Sequence, residues 1–162
     1  MIAVAAPVSV GSVYEFGVLT EAGVGSLHSA NQPVDFALDP VDAPESGFFT
    51  LSGANTLLFN ADAVIRLAGQ IEVFSTAQRN QATITLNFNG IPTGTEYGSS
   101  YTRNSGTAYD YWTLPLFTRP FTVSPGDQMQ VLTGSRSGGT KGNTGTQTHR
   151  VQTAEITVER IA

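Results

Sequence analysis

The chain has 162 residues, a length that makes one domain the simplest reading and allows a core without metal or disulfide staples. It has no cysteine, which excludes disulfides, thiolate metal sites and thiol catalysis. A formal net charge of −5, with charged residues only 13% of the chain, excludes the basic surface expected of a general nucleic-acid binder.

Polarity comes instead from Thr, Ser, Asn, Gln and 17 Gly, a mixture that suits strands with one wet face and many turns. The apolar N-terminus "MIAVAAPVSV" lacks a basic n-region and contains Pro7, which does not fit a cleaved signal peptide. No apolar run approaches the roughly 18 residues of a membrane span, so no membrane partner is expected. Residues 1–65 hold no Lys or Arg but carry Glu15, Glu21, Asp35, Asp39, Asp42, Glu45 and Asp62, and all the cations follow from Arg66 to Arg160. That asymmetry either steers association with a basic surface or marks a solvated acidic loop.

Residues 1–33, rich in small and β-branched side chains without a helical stripe, read as an extended arm with a strand over Val8 to Val18. The arm either packs on a neighbouring subunit or other partner surface through Val8, Val10, Val13, Tyr14, Glu15 and Glu21, or supplies the first strand of its own domain. The domain proper is expected over residues 34–162. "GFFTLS" (47–52) and "TLLFN" (56–60) are short strand candidates.

The segment "NADAVIRLAGQIEVFS" (60–75) fits two periods. Val64, Leu67, Ala68 and Ile71 make a helix face; Ile65, Leu67, Gly69, Ile71 and Val73 make a strand face, with Arg66, Gln70 and Glu72 opposite. The β-rich "IEVF" and the surrounding strands favour the strand. "ATITLNF" (82–88) alternates cleanly and runs into the turn dipeptide Asn89-Gly90. Residues 91–111 read as a long polar loop, and "WTLPLF" and "PFTV", punctuated by Pro115 and Pro120, as edge-like. Pro125-Gly126-Asp127 makes a turn into "QMQVLT" (128–133), and "VQTAEITVERI" closes the chain with Ala154, Ile156 and Val158 on one face. So many short strands with turn signals indicate an all-β, antiparallel sandwich or jelly roll.

Three segments carry a resemblance. "AVIRLAGQIEVFS", "TITLNFNG" and "FTVSPGDQMQV" resemble the central strand, the strand after it and the late Gly-Asp hairpin of C1q/TNF-like jelly rolls, and "TAEITVERI" is similar to their closing strand. The Thr/Asn/Gly-rich, cysteine-free style resembles the versions on phage and viral particles. The resemblance implies a homotrimer that decorates or cements a capsid. It would be made in the host cytoplasm and carried on the virion exterior, its partners being itself and the major capsid protein or neighbouring virion subunits. The alternatives it leaves are a receptor- or glycan-binding fibre tip and a carbohydrate-binding module. It also gives Gly126 and Asp127 a structural role in the turn, with Gly126 at positive φ and Asp127 accepting backbone N–H bonds.

Chemical motifs are weak. "GSRSGGTKGNTG" (134–145) has the glycine spacing of a phosphate-binding loop, but Thr140 stands where lysine is needed and no helix pattern follows. Arg136, Lys141, His149 and Arg150 are left as contacts for an anionic surface. His28 and His149 lie in polar stretches and read as surface residues, without metal-ligand spacing. Asp39, Asp42 and Glu45 lack the spacing of a calcium loop and read as a solvated turn. No catalytic residue, cofactor or metal is expected. Tyr97, Tyr101, Tyr109, Tyr111 and Trp112 crowd one region, as a sugar platform or as core and subunit contacts; the resemblance favours trimer contacts through Tyr109, Tyr111 and Trp112.

Overall fold

The computed structural model describes residues 14–75, 79–103, 110–136 and 148–162. Its strands are β1 (Glu15–Glu21), β2 (Gln32–Pro33), β3 (Phe36–Leu38), β4 (Phe49–Ser52), β5 (Thr56–Phe59), β6 (Ala63–Ser75), β7 (Arg79–Phe88), β8 (Ile91–Pro92), β9 (Gly98–Arg103), β10 (Asp110–Phe117), β11 (Phe121–Val123), β12 (Gln128–Ser135) and β13 (Arg150–Arg160). The described residues contain no helix. Two antiparallel sheets stack. The first runs β10-β6-β13-β1-β3, with β11 continuing the β10 side of β6. The second runs β4-β5-β12-β7-β8, with β2 beside β12 and β9 beside β7.

The alternation in the sequence is the origin of the core. In β6, Ile65, Leu67, Ile71 and Val73 are fully buried, while Arg66, Gln70 and Glu72 take the opposite face. Ala154, Ile156 and Val158 of β13 bury beside them. Ala82, Ile84 and Leu86 of β7, with Met129 and Val131 of β12, close the core from the second sheet. Each such aliphatic side chain contributes about 1.5–3 kcal/mol on burial. β10, which carries Pro115, sits at the edge of its sheet, where a missing N–H costs no ladder bond.

The extended arm expected over 1–33 is corrected over its described part. β1 lies between β13 and β3, in register from Glu15↔Arg160 to Thr20↔Glu155 and from Leu19↔Leu38 to Glu21↔Phe36. Leu19 is fully buried, so this segment supplies a strand to its own sandwich, and the expected boundary at residue 33 falls inside the folded unit. Val8, Val10 and Val13 lie outside the described residues.

The polar loop expected over 91–111 is also corrected. β8 pairs with β7 at Phe88↔Ile91, and β9 pairs with β7 from Arg79↔Arg103 to Ile84↔Gly98. β9 lacks apolar alternation because it runs too close to β10 for large side chains: a Cβ at Gly98 would sit 2.0 Å from the Pro115 carbonyl oxygen.

The two turns at one end of β12 are laced together. Asn89, at φ 50°, donates from Nδ2 to Asp127 Oδ1 (2.8 Å) and accepts the Gln128 N–H at its Oδ1 (2.8 Å). Asp127 Oδ2 accepts the Ser124 N–H at 2.8 Å. Gly126 takes φ 94°, a conformation that suits glycine, and donates its N–H to the Phe59 carbonyl (2.8 Å).

Candidate assembly surface

Strand alternation places one set of side chains on the outward face of the first sheet. Cross-strand register arranges them in rows: Phe16, Glu159 and Arg66; then Val18, Thr157, Ala68 and Phe117; then Thr20, Glu155, Gln70 and Pro115; and finally Arg150, Phe74 and Tyr111. Phe117 (62% exposed), Tyr111 (53%) and Phe16 (42%) are large rings left in water, and Tyr14 (60%) joins them 6.3 Å from the Phe16 ring.

Charges on this face are paired and stacked. Arg66 donates from Nε to Glu159 Oε2 at 2.6 Å and forms an ion pair with the same carboxylate. Its guanidinium lies 5.1 Å from the Phe117 ring centroid. The Tyr14 hydroxyl donates to the other Glu159 oxygen at 3.3 Å. At the far end, the Arg150 guanidinium lies 4.6 Å from the Phe74 centroid, and Tyr111 stacks 5.2 Å away on the same ring. Arg150 Nε, Gln152 Oε1 and Arg160 Nε are buried without a hydrogen-bond partner among the described residues. Exposed rings beside pre-paired charges are the composition of a protein-protein contact surface.

The expected trimer contacts separate on this geometry. Tyr111 faces outward. Trp112, the next residue, faces the other way, packs against the core and leaves its buried Nε1 without a partner among the described residues. A β-strand cannot present two consecutive side chains on one face, so Trp112 is a packing residue of its own subunit. Tyr109 lies outside the described residues. Tyr97 also packs on the core, 5.9 Å from the Phe121 ring, while Tyr101 is exposed on the second sheet.

The acidic residues assigned to an arm have partners within the chain. Glu15 accepts the Ser46 N–H at 3.1 Å and lies 3.7 Å from Arg160. Glu21 Oε2 accepts the Ala154 N–H at 2.9 Å, where β13 is bulged between Val151 and Thr153. Asp39 accepts the Val41 N–H (2.9 Å) in the loop before β4. Among the described residues no group of three His, Asp or Glu side chains converges as a metal site.

The outward face of the second sheet differs. Gln130 on β12 accepts from Asn87 Nδ2 (3.4 Å) and donates to Asn55 Oδ1 (3.1 Å) and Thr56 Oγ1 (3.1 Å), an uncharged amide ladder across β7, β12 and β5.

A polar cluster that sequence reasoning missed lies inside, at the end of β12 opposite the laced turns. His28 and His149 are 8% and 0% exposed, which corrects their reading as surface residues and removes His149 as a contact for an anionic partner. They exchange backbone hydrogen bonds in both directions (His28 N to His149 O, 2.8 Å; His149 N to His28 O, 3.0 Å), and their rings lie 4.5 Å apart. His28 Nδ1 is 2.9 Å from Ser26 O, and Nε2 is 3.2 Å from Thr133 O and 3.0 Å from Thr133 Oγ1. His149 Nδ1 meets Ser135 Oγ at 3.0 Å, and Ser135 donates to Asn80 Oδ1 at 3.3 Å. His149 Nε2 is buried without a partner among the described residues. Burial, and then the neighbouring His28, lower the His149 pKa from the usual 6.5 to about 3. The two-way backbone pairing brings together residues 121 positions apart, and no local sequence spacing announces it.

No protein-family model and no curated protein matches the sequence. Solved structures match in shape. An Eiger TNF from S. frugiperda superposes with a TM-score of 0.61 at 12% identity, over 92% of this chain and 93% of that one. Murine APRIL at pH 8.0 gives a TM-score of 0.56 at 8% identity, over 91% and 98%. At such identities the likeness concerns the fold, and it agrees with the strand order and with the motifs in β6, β7 and β12: the chain is a C1q/TNF-like jelly roll.

Proposed function

We propose that this chain is a non-enzymatic structural protein that assembles as a homotrimer through the outward face of its first sheet and decorates the exterior of a phage capsid. The observation that supports self-assembly best is the set of exposed rings on this face, Tyr14, Phe16 and Phe117 beside the Arg66–Glu159 pair and Tyr111 at the far end. Rings of this size in water carry an apolar cost that a second copy removes. Virion decoration is supported by the sequence style and by the acidic first 65 residues, which suit a basic surface. Its mechanism is multivalent clamping: weak contacts held in one rigid trimer act at high effective concentration, so avidity exceeds each contact.

The non-enzymatic reading is supported by the one Ser–His contact among the described residues with a catalytic appearance. Ser135 Oγ touches His149, but that ring has no exposed surface, so a substrate has no route to it. A second reading, glycan binding, is favoured by the uncharged amide ladder and the exposed Tyr101 on the second sheet. Light scattering on the purified chain tests assembly, with a trimer mass expected at micromolar concentration and a stable monomer overturning it. Cosedimentation with purified capsids, run beside a glycan array, separates the two partners; sugar-competed binding with no capsid uptake would install the second reading.

A further inference from the structure

We propose that the His28–His149 pair is an acid-sensitive latch, in which protonation of His149 releases the segment between β1 and β3 from β12 and β13 and opens that end of the sandwich. The latch is built from backbone bonds that all cross at one place. Besides the reciprocal pair between the histidines, Gly25 donates its N–H to Val151 O (3.0 Å) and Ser135 donates its N–H to Ser29 O (2.9 Å). β2 adds its pairing with Leu132 and Thr133. These bonds hold the whole 22–33 connection over the polar end of the core.

The two rings differ in what they can tolerate. His28 has a backbone carbonyl facing each nitrogen, Ser26 O at Nδ1 and Thr133 O at Nε2, so both ring nitrogens have an acceptor at hand. His149 has no such arrangement. Its Nδ1 is taken by the Ser135 hydroxyl, its Nε2 points at nothing polar among the described residues, and a charged His28 would lie 4.5 Å away. A proton there is an unpaired buried charge beside a like charge, and it is relieved when the end opens to water.

Among the described residues, the groups at contact distance from the pair are neutral. β12 presents Thr133 and Ser135, β7 presents Asn80, and Thr148 lies beside Asn80, which donates to its carbonyl at 2.9 Å. The nearest charges are turned to other partners. Asp35, which lines a cavity of about 250 Å³ shared with His28, accepts from Asn55 (3.0 Å); Arg150 stacks on Phe74; Arg136 pairs with Glu96. None of them offers a carboxylate to stabilise an imidazolium at His149.

The sign follows from where the proton is held. The folded end keeps His149 neutral down to about pH 3, and the opened end takes a proton at the usual 6.5. Latching is therefore complete above pH 6.5 and weakens as pH falls between those values. One proton taken up on opening raises the opening constant about tenfold per pH unit.

Hydrogen exchange on the full chain at pH 7 and pH 4.5 reads this directly, as protection factors corrected for intrinsic exchange. The amides of Gly25, His28, Ser135 and His149 should lose about 100-fold in protection. Those of Phe59, Asn89 and Gly126, at the opposite end, should hold. His149→Asn, which keeps a donor toward Ser135 and cannot titrate, should abolish the difference. Equal protection at both pH values overturns the latch, as does a His149→Asn protein that keeps the acid response. If that variant does not fold, ring-resonance titration of the unaltered protein decides. His149 neutral at pH 5 with the latch amides intact is the expected result, and a His149 that titrates near 6.5 with those amides still protected refutes it.

Discussion

The two outward faces of the sandwich use the same pleat and leave different things in water. The first sheet exposes Phe16 and Phe117 beside a pre-paired Arg66–Glu159 couple and Tyr111 at the far end, and buries Arg150 Nε and Gln152 Oε1 without partners among the described residues. On the second sheet Asn87, Gln130, Asn55 and Thr56 hydrogen-bond one another in a neutral band, while Thr85 Oγ1 is buried without a partner among the described residues. A face whose polar groups are already paired gains little by being covered. A face with open rings gains apolar burial when it is covered. On the proposed reading these rings make the first sheet the assembly face.

The largest test breaks the first face on purpose. Tyr111→Asp combined with Phe117→Asp puts two carboxylates where rings should meet a second copy. Association should weaken by at least about 100-fold, a loss of roughly 3 kcal/mol typical of central aromatic contacts, and sedimentation should report monomer. The matched change on the other face, Ser52→Asp, should leave the mass unchanged. If Ser52→Asp dissociates the protein and the double variant does not, the two faces have been assigned the wrong way round.

A smaller effect separates the faces of one strand. Tyr111 and Trp112 are neighbours, yet the first lies outward on Phe74 and the second packs inward. Trp112→Ala should cost about 3 kcal/mol of folding stability, near the lower end for large aromatics because the ring is only partly buried, with oligomer mass kept at temperatures where the chain is folded. Tyr111→Ala should do the reverse, changing association while shifting the chemical-denaturation midpoint of the dissociated chain little.

That pair also shows what could be read in advance. β6, β7, β12 and β13 were legible because large β-branched and aliphatic residues alternate there, and burial follows alternation directly. β9 was hidden because its approach to β10 demands glycine at 98 and Ser99 and Ser100 follow, so the strand has no apolar alternation to mark it. β1 was hidden for a related reason: Gly17 and Leu19 are its core positions, and one glycine removes half of the signal. The aromatic cluster was visible as composition, but its division between core and surface depends on strand phase, which the intervening glycines and polar residues obscured. The histidine pair is formed by residues from opposite ends of the chain, and polar flanks suggested solvent where the fold supplies Thr133, Ser135 and Asn80 as buried partners.

The smallest expected effect concerns the second face. Gln130→Ala removes an amide that makes three side-chain hydrogen bonds, two donated and one accepted. The count suggests a large loss, but the face is only partly buried, so water can take over the freed Asn55, Thr56 and Asn87 groups. The net value of such exchanged bonds is about 0.5–1.5 kcal/mol in total rather than for each. The β12–β7 ladder beneath runs from Met129↔Phe88 to Ser135↔Ala82 through backbone groups and does not depend on the side chain. Gln130→Ala should therefore lower the unfolding free energy by about 1 kcal/mol and leave the oligomer mass and its salt dependence unchanged. Arg66→Gln on the first face is the sharpening partner. It removes the ion pair with Glu159 and the stacking on Phe117, and it should make association less sensitive to salt than in the parent, because a charge at the contact has gone. A salt response altered by Gln130→Ala and untouched by Arg66→Gln would mean that the neutral band, and not the aromatic face, meets the neighbouring copy.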